Sequence, residues 1–284
     1  MGRYKKILVA YDGSNSSVNA LRQAIRLART EKSWVKVVSV VPSYRGELEL
    51  TGVQDLEAAI RGPAERLLAG ARRIAGEEGG AIITNIEEGE AYERIVDVAD
   101  SEHCDLIVMG RRGHSRIERA LIGCVTARVI GHTHRDVLVV PRDASLNFDS
   151  ILLATDGSEF SRPASGRAID FARSYGAALD AVAVVDVTNE FHAYAPAAVE
   201  AFIRKFKQVL AELKSKAEAV GLRVKTFIRE GEAFEAITDL ARQENAGLIV
   251  MGSHGRKGLS RILMGSVTEK VIGLTKCPVL VVRS

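Results

Sequence analysis

GSHGRKGLSRILMGS, residues 252–266, follows directly on the apolar run Leu248-Ile249-Val250-Met251. Glycines stand at Gly252, Gly255 and Gly265, and a hydroxyl, Ser266, sits behind the last. Glycine lets backbone approach a bulky group and tolerates positive φ. A glycine loop between a strand and a helix can cradle phosphate with backbone N–H groups, although a single such loop is as often plain turn chemistry. The loop is not single. GRRGHSRIERALIGC at residues 110–124 follows Leu106-Ile107-Val108-Met109, and Gly110, Gly113 and Gly123 repeat the same mutual spacing.

The repetition extends along the chain. ILVAYDGS at residues 7–14 returns as ILLATDGS at 151–158, EGEAYE at 88–93 as EGEAFE at 230–235, and VLVV at 137–140 again at 279–282. Order is kept and the offset is nearly constant. The 284 residues therefore read as two copies of one domain, each large enough to bury its own core. The domains are expected at residues 1–143 and 148–284, with a short polar junction around residues 142–148.

Composition narrows the function classes. Hydrophobic residues make up 46% and charged residues 26%, which excludes a mostly disordered chain. A net charge of +3 is too mild to argue for nucleic acid. No apolar stretch approaches the roughly 20 residues of a membrane span. The opening MGRYKKILVAYDG passes straight into an expected strand, so no signal peptide is expected, and Lys6 occupies the position where a myristoylation pattern wants Ser or Thr. The three cysteines, Cys104, Cys124 and Cys277, are odd in number and lack metal spacing, which suits a reducing cytoplasm.

Each copy alternates strands and helices. In the first, strands are expected at residues 7–11, 35–41, 81–86, 105–109 and 137–141. Helices are expected from about residue 18 after caps at residues 14–17, and then from near Leu56 to Gly76, at 91–101 and at 122–132. Gly62-Pro63 is expected to break or kink the long one. Alternation of this kind implies a parallel sheet with right-handed crossovers, and near-continuous apolar strands imply burial on both faces. The fold class is α/β, two tandem doubly wound sheets with helices on both faces. Ligands of such sheets sit beyond the carboxyl ends of the strands. Asp12, Val40 and Gly110 fall at or near those ends, as do Asp156, Val187 and Gly252 in the second copy.

A helix starting near Gly265 would aim unpaired N–H groups at that edge and favour an anion. The spacing G-x2-G-x9-G-S matters because it supplies two N–H clusters, one from a loop and one from a helix start. Asp156 would repel phosphate, so its carboxylate suits ribose hydroxyls, a base amine or a share in a divalent metal. There is no Walker loop, and no G-x-G-x-x-G follows the first strand.

These features together resemble the universal stress protein family. The likeness rests on Asp at the end of strand one, strand two running into Val-Val-Pro, LIVMG leading into G-x2-G-x9-G-[ST], and a terminal CPVLVV. It covers both halves. The resemblance implies five parallel strands in the order 3-2-1-4-5, ATP or a related nucleotide (ADP or AMP) with Mg bridged by its phosphates, and dimerisation through strand five, first between the halves and then into homodimers. It implies that Asp156 and Val187 contact the adenosine end, and that Gly252, Gly255, Gly265, Ser266 and Val267 contact ribose and phosphates. In the first half the matching positions are Asp12, Val40, Gly110, Gly113, Gly123, Cys124 and Val125. Cys124 departs from the pattern, since a thiol is a weak donor where Ser or Thr is expected. That puts the affinity of the first site in question, not its fold.

Other residues have plainer readings. His254 reads as a solvated loop histidine, and His132-Thr133-His134 as a surface pair rather than a metal site. Arg111, Arg112, Arg256 and Lys257 are equally suited to phosphate or solvent. Lys205, Lys207, Lys214 and Lys216 border an amphipathic helix. Cys104 and Cys277 read as small core residues. The favoured function is a nucleotide-binding regulatory protein of the cytoplasm, with no membrane or nucleic-acid partner, no protein partner named by the sequence, and no fast chemistry. The alternative is a slow ATPase or nucleotide-dependent phosphotransferase, which needs a water-orienting base and a metal site.

Overall fold

Strands buried on both faces dictate the architecture. In the computed structural model, which describes residues 4–43, 56–113, 121–255 and 264–283, the chain divides into two units, Met1–Asp143 and Ala144–Ser284. The first runs β1 (Lys6–Ala10), α1 (Asn15–Glu31), β2 (Trp34–Val41), α2 (Leu56–Glu77), β3 (Ile83–Glu88), α3 (Ala91–Ser101), β4 (Leu106–Gly110), α4 (Cys124–His132) and β5 (Asp136–Val140). Its strands are parallel, in the order β3-β2-β1-β4-β5. The second runs β6 (Ser150–Ala154), α5 (Arg162–Tyr175), β7 (Ala178–Val185), α6 (Asn189–Tyr194), α7 (Pro196–Glu218), β8 (Val224–Glu230), α8 (Ala233–Gln243), β9 (Leu248–Gly252), α9 (Ser266–Leu274) and β10 (Val279–Val282). Its order is β8-β7-β6-β9-β10, again parallel. Both units therefore have the expected 3-2-1-4-5 winding.

Ile7, Leu8 and Val9 are fully buried in succession, as are Ile151, Leu152 and Leu153. Successive strand residues face opposite sides, so each central strand is covered above and below. Each such side chain contributes roughly 1.5–3 kcal/mol by leaving water. Ser14 caps α1, its hydroxyl accepting the Ser17 N–H at 3.2 Å.

Two local expectations change. Helix α2 is continuous through Gly62-Pro63. Proline removes one main-chain bond there, but the face formed by Ala64, Leu68, Ala71 and Ala75 is buried and holds the helix on the sheet. Within the second unit Phe148 stacks on Tyr175 at 4.0 Å and packs on Phe171 at 5.5 Å. Strand β3 lies two residues later than expected.

Candidate functional site

The Asp-Gly-Ser turns after β1 and β6 place a carboxylate at the carboxyl edge of each sheet. Asp12 Oδ1 accepts the Ser14 N–H at 3.0 Å, and Asp156 Oδ1 accepts the Ser158 N–H at 3.0 Å. The glycine between them is left-handed, with φ of +79° at Gly13 and +71° at Gly157. Here glycine is demanded by the backbone.

The loop glycines have a different reason: space. None of Gly110, Gly113, Gly123, Gly252, Gly255 or Gly265 has a positive φ. A Cβ on Gly252 would stand 2.6 Å from the Phe160 carbonyl, and one on Gly110 would stand 2.7 Å from Ser16 backbone. These two serve the close approach of strand end and helix start. A Cβ on Gly255 would lie 3.1 Å from Asp156 Oδ2, and one on Gly113 would collide with Asp12 Oδ2. Each carboxylate thus lies against its own glycine loop. The loop closes on the helix start, Gly123 N–H donating to the Arg111 carbonyl and Gly265 N–H to the Ser253 carbonyl, both at 2.9 Å.

Gly123 and Gly265 are the N-caps of helices α4 and α9, and neither start has a side-chain cap. The first-turn N–H groups and the positive end of the helix dipole therefore face the same edge as the loop. Thr126 and Thr268 anchor each first turn, donating to the Gly110 and Gly252 carbonyls at 3.0 and 3.1 Å. The sequence reading missed these threonines. The signal was present: CVTARVI and SVTEKVI carry Thr at one place in both halves.

In the second unit the edge opens into a cavity of about 620 Å³. Asp156, Val187, Gly252, Gly255, Gly265, Ser266 and Val267 all line it, so the expected second-copy residues converge on one space. Val182, Val184, Phe202, Phe206 and Ile237 supply an apolar wall. One wall position differs between the units. Gly13 abuts Leu67 and Gly157 abuts Val209, which sets α2 and α7 in register; Phe206 then stands where the first unit has Ala64.

In the first unit Asp12 and Gly113 adjoin, and Gly123, Cys124 and Val125 stand at the start of α4, with Cys124 exposed. Val40 belongs to β2. The pairing of Val40 with Val187 is corrected by the strand register. Leu8 pairs with Lys36 and Leu152 with Asp180, so Val40 corresponds to Val184, while Val187 lies beyond the end of β7.

Other side chains follow their chemistry. His254 is half-buried, lines the cavity and has Nδ1 3.1 Å from Ser253 Oγ, so it is not the solvated histidine expected. Arg283 Nη1 donates to that same Oγ at 2.8 Å. Burial pushes the Arg283 and Arg111 guanidinium pKa values down. Arg256 and Lys257 lie outside the described residues. His132 and His134 are exposed, and His132 Nδ1 sits 2.7 Å from the Arg128 carbonyl. Lys205, Lys207, Lys214 and Lys216 are exposed, as expected. Cys104 is buried, and its thiol is pushed up to about 11 mainly by desolvation. Cys277 is only half-buried, its Sγ 3.3 Å from Thr275 Oγ1, which corrects its reading as a core residue. Among the described residues no three His, Cys, Asp or Glu side chains converge on a metal position, and no helix is long and apolar enough to cross a membrane.

The model of the universal stress protein family matches residues 3–141 and again 147–283. The chain belongs to the universal stress protein family. It is similar over nearly its whole length to a tandem relative, a universal stress protein of Mycolicibacterium smegmatis: 28% identical over 286 residues, 98% of this chain and 96% of that one. A universal stress protein of Methanocaldococcus jannaschii is 38% identical over 140 residues, 48% of this chain and 82% of that protein. A universal stress protein from Archaeoglobus fulgidus shares the fold, with a TM-score of 0.74 at 23% identity over 98% of this chain and 96% of that one. The double family match accords with the internal repeat.

Proposed function

We propose that this universal stress protein binds adenine nucleotide in its second unit and acts as a nucleotide-responsive stress regulator rather than as an enzyme of rapid turnover. The observation that carries this reading is the meeting of an uncapped helix start, a glycine loop and the Asp156 carboxylate around one cavity with an apolar wall. Phosphates fit the N–H donors of residues 266–268 and the loop at Gly255. Ribose hydroxyls suit Asp156, and the base suits the apolar wall near Val187 and Phe202. Magnesium enters as the counter-ion of the phosphates, where it neutralises their charge.

The absence of rapid chemistry is argued from the donors and acceptors at hand. Among the described residues the carboxylates lining the cavity are Asp156 and Asp186, and one oxygen of Asp156 already accepts the Ser158 N–H. A hydrolytic base would need a water held against the terminal phosphate. Binding would instead order the loops and shift a population of conformers. The first unit is proposed to bind the same ligand more weakly through Asp12, Gly113 and the α4 start. Homodimer formation belongs to the same reading, and sedimentation with and without nucleotide tests it.

Gly265→Val tests the site. A Cβ at Gly265 meets His254 Cα and the Ser253 carbonyl at 3.3 Å, so a branched side chain must turn into the phosphate path. Loss of calorimetric ATP affinity at the second site, with the circular dichroism spectrum unchanged, is expected. Unchanged affinity would count against the site. Multiple-turnover hydrolysis of labelled ATP that disappears in Asp156→Ala would favour the slow-ATPase alternative.

A further inference from the structure

We propose that the amino edge of the first unit's sheet is a docking surface for an acidic peptide segment that carries a pair of apolar side chains. The surface lies at the other end of the strands from the glycine loops, so it does not rest on the nucleotide reading. Two large apolar residues are exposed there, Trp34 at 70% and Ile83 at 53%. They are the first residues of β2 and β3. The strand register puts them on one face. Lys6 pairs with Trp34 and Lys36 with Ile83, and Trp34 and Lys36 stand two residues apart on β2. One face therefore carries Lys6, Trp34, Lys36 and Ile83 together. Neighbouring strands lie about 4.8 Å apart and two residues span about 6.6 Å, which sets the two apolar positions about 8 Å apart.

The rim around them is positive. Glu102 is shared by Lys6 and Lys36, so one charge of that trio is left over. Lys5 and Lys32, both exposed, flank Trp34: the Trp34 N–H donates to the Lys5 carbonyl at 2.8 Å, and Lys32 precedes it by two residues. Asp105 offsets part of this charge, its carboxylate accepting the N–H groups of Lys5 and Lys6 at 2.7 and 2.9 Å. Four lysines thus stand against two carboxylates. Lys32 is also held at φ +58°, whereas the matching cap of α5 is Gly176 at φ +68°. Glycine takes that conformation at less cost, so a lysine there points to a use for its charge.

The second unit supplies the contrast. Ser150, Ala178, Asp180 and Lys225 occupy the places of Lys6, Trp34, Lys36 and Ile83. The large apolar side chains are gone, and Asp180 and Glu244 outnumber Lys225, whose Nζ lies 3.3 Å from Glu244. The same winding forms without the tryptophan and without the basic rim. An apolar pair inside a positive rim selects a partner of complementary charge. An extended peptide repeats its side chains on one side about every 7 Å, close to the spacing of Trp34 and Ile83. Nucleic acid fits less well, because stacking needs successive aromatic faces and Ile83 offers none. An anionic membrane fits less well, because Glu102 and Asp105 lie within the rim.

Trp34 is the single tryptophan of the chain and reports on its own surroundings. Titration of the full-length protein with the blocked heptapeptide EELELEE is expected to shift its emission to the blue and to saturate, with an affinity that falls as salt rises. EEGEGEE, which lacks the apolar pair, is expected to bind about tenfold more weakly or worse. KKLKLKK is expected not to bind. By calorimetry, Trp34→Ala is expected to weaken EELELEE about tenfold. Lys5→Glu combined with Lys32→Glu is expected to abolish binding with the circular dichroism spectrum unchanged. Lys32→Gly is expected to weaken the peptide about threefold without lowering thermal stability, which a lysine of purely structural use would not do. No emission shift with EELELEE overturns the proposal, as does binding that survives Trp34→Ala and the two charge reversals undiminished. A shift given by oligothymidylate, by phosphatidylglycerol vesicles or by raised protein concentration, and not by the peptide, assigns the surface to another partner and overturns it equally.

Discussion

At the scale of single residues, the most constrained positions are those where two demands fall on one atom. Gly157 must take φ +71°, and a Cβ there would lie 2.6 Å from Val209 Cγ2. Gly157→Ala is expected to lower stability by about 1–3 kcal/mol, read by denaturant titration of the full chain. An unchanged midpoint would mean that the turn relaxes at no cost. Cys124 is the converse case, a position free to change: it is exposed, at the first turn of α4, where the second unit has Ser266. In a chain whose second site is blocked by Gly265→Val, Cys124→Ser is expected to tighten nucleotide binding about three- to thirtyfold. No change would show that the hydroxyl does not discriminate the two units. Individual residues differed in how legible they were. Asp12, Asp156 and the loop glycines stood out because local motif and repetition agreed. The reason for each glycine did not, because only tertiary packing separates a glycine needed for φ from one needed for space. The bond from Arg283 to Ser253 spans thirty residues, and no local pattern announces it.

At the scale of elements, the decisive feature is how each glycine loop is tied to the helix that follows it. Thr268 donates to the Gly252 carbonyl at 3.1 Å, so the first turn of α9 is fastened to the end of β9. Thr268→Val, nearly the same in volume, is expected to cost about 1–2 kcal/mol and to raise amide exchange in the first turn of α9. Exchange that stays unaltered would place the anchoring elsewhere. Element type and order were legible from apolar periodicity, and α3 coincides with its expected limits. Val40 and Val187 were mispaired by three positions: the offset that carries Leu8 to Leu152 carries Val40 to Val184, as the strand register shows. Gly62-Pro63 misled for a different reason. A local breaker was weighed without the buried face that keeps α2 on the sheet.

At the scale of the whole molecule, the two units share a winding and differ in the charged residues they carry away from the glycine loops. In the first, Lys6 and Lys36 both pair with Glu102, Lys6 Nζ at 2.8 Å from Oε2 and Lys36 on Oε1. Those two bonds hold the Glu102 carboxyl down at about 2. Its contribution is therefore complete above the unfolded pKa of about 4.3 and is lost as pH falls from there toward about 2. In the second unit Asp180 stands where Lys36 stands in the first, and it is buried at 4% exposure. Burial raises its pKa, with the Glu244 charge adding to the effect. The sign is opposite: ionised Asp180 destabilises its unit at neutral pH, and the penalty is relieved as pH falls through its raised pKa. Residue-resolved hydrogen exchange from neutral pH to pH about 3 is expected to show the first unit losing protection relative to the second. Glu102→Gln should abolish the acid loss, and Asp180→Val should raise neutral-pH stability of the second unit by about 1 kcal/mol. Parallel loss in both units would contradict this assignment. The central claim, that the glycine loops and uncapped helix starts form nucleotide sites of unequal strength, is tested most directly by calorimetric titration of the full-length protein with MgATP. Two classes of site are expected, the tighter one removed by Gly265→Val. The absence of binding up to millimolar nucleotide, or two equal sites both indifferent to Gly265→Val, would contradict it.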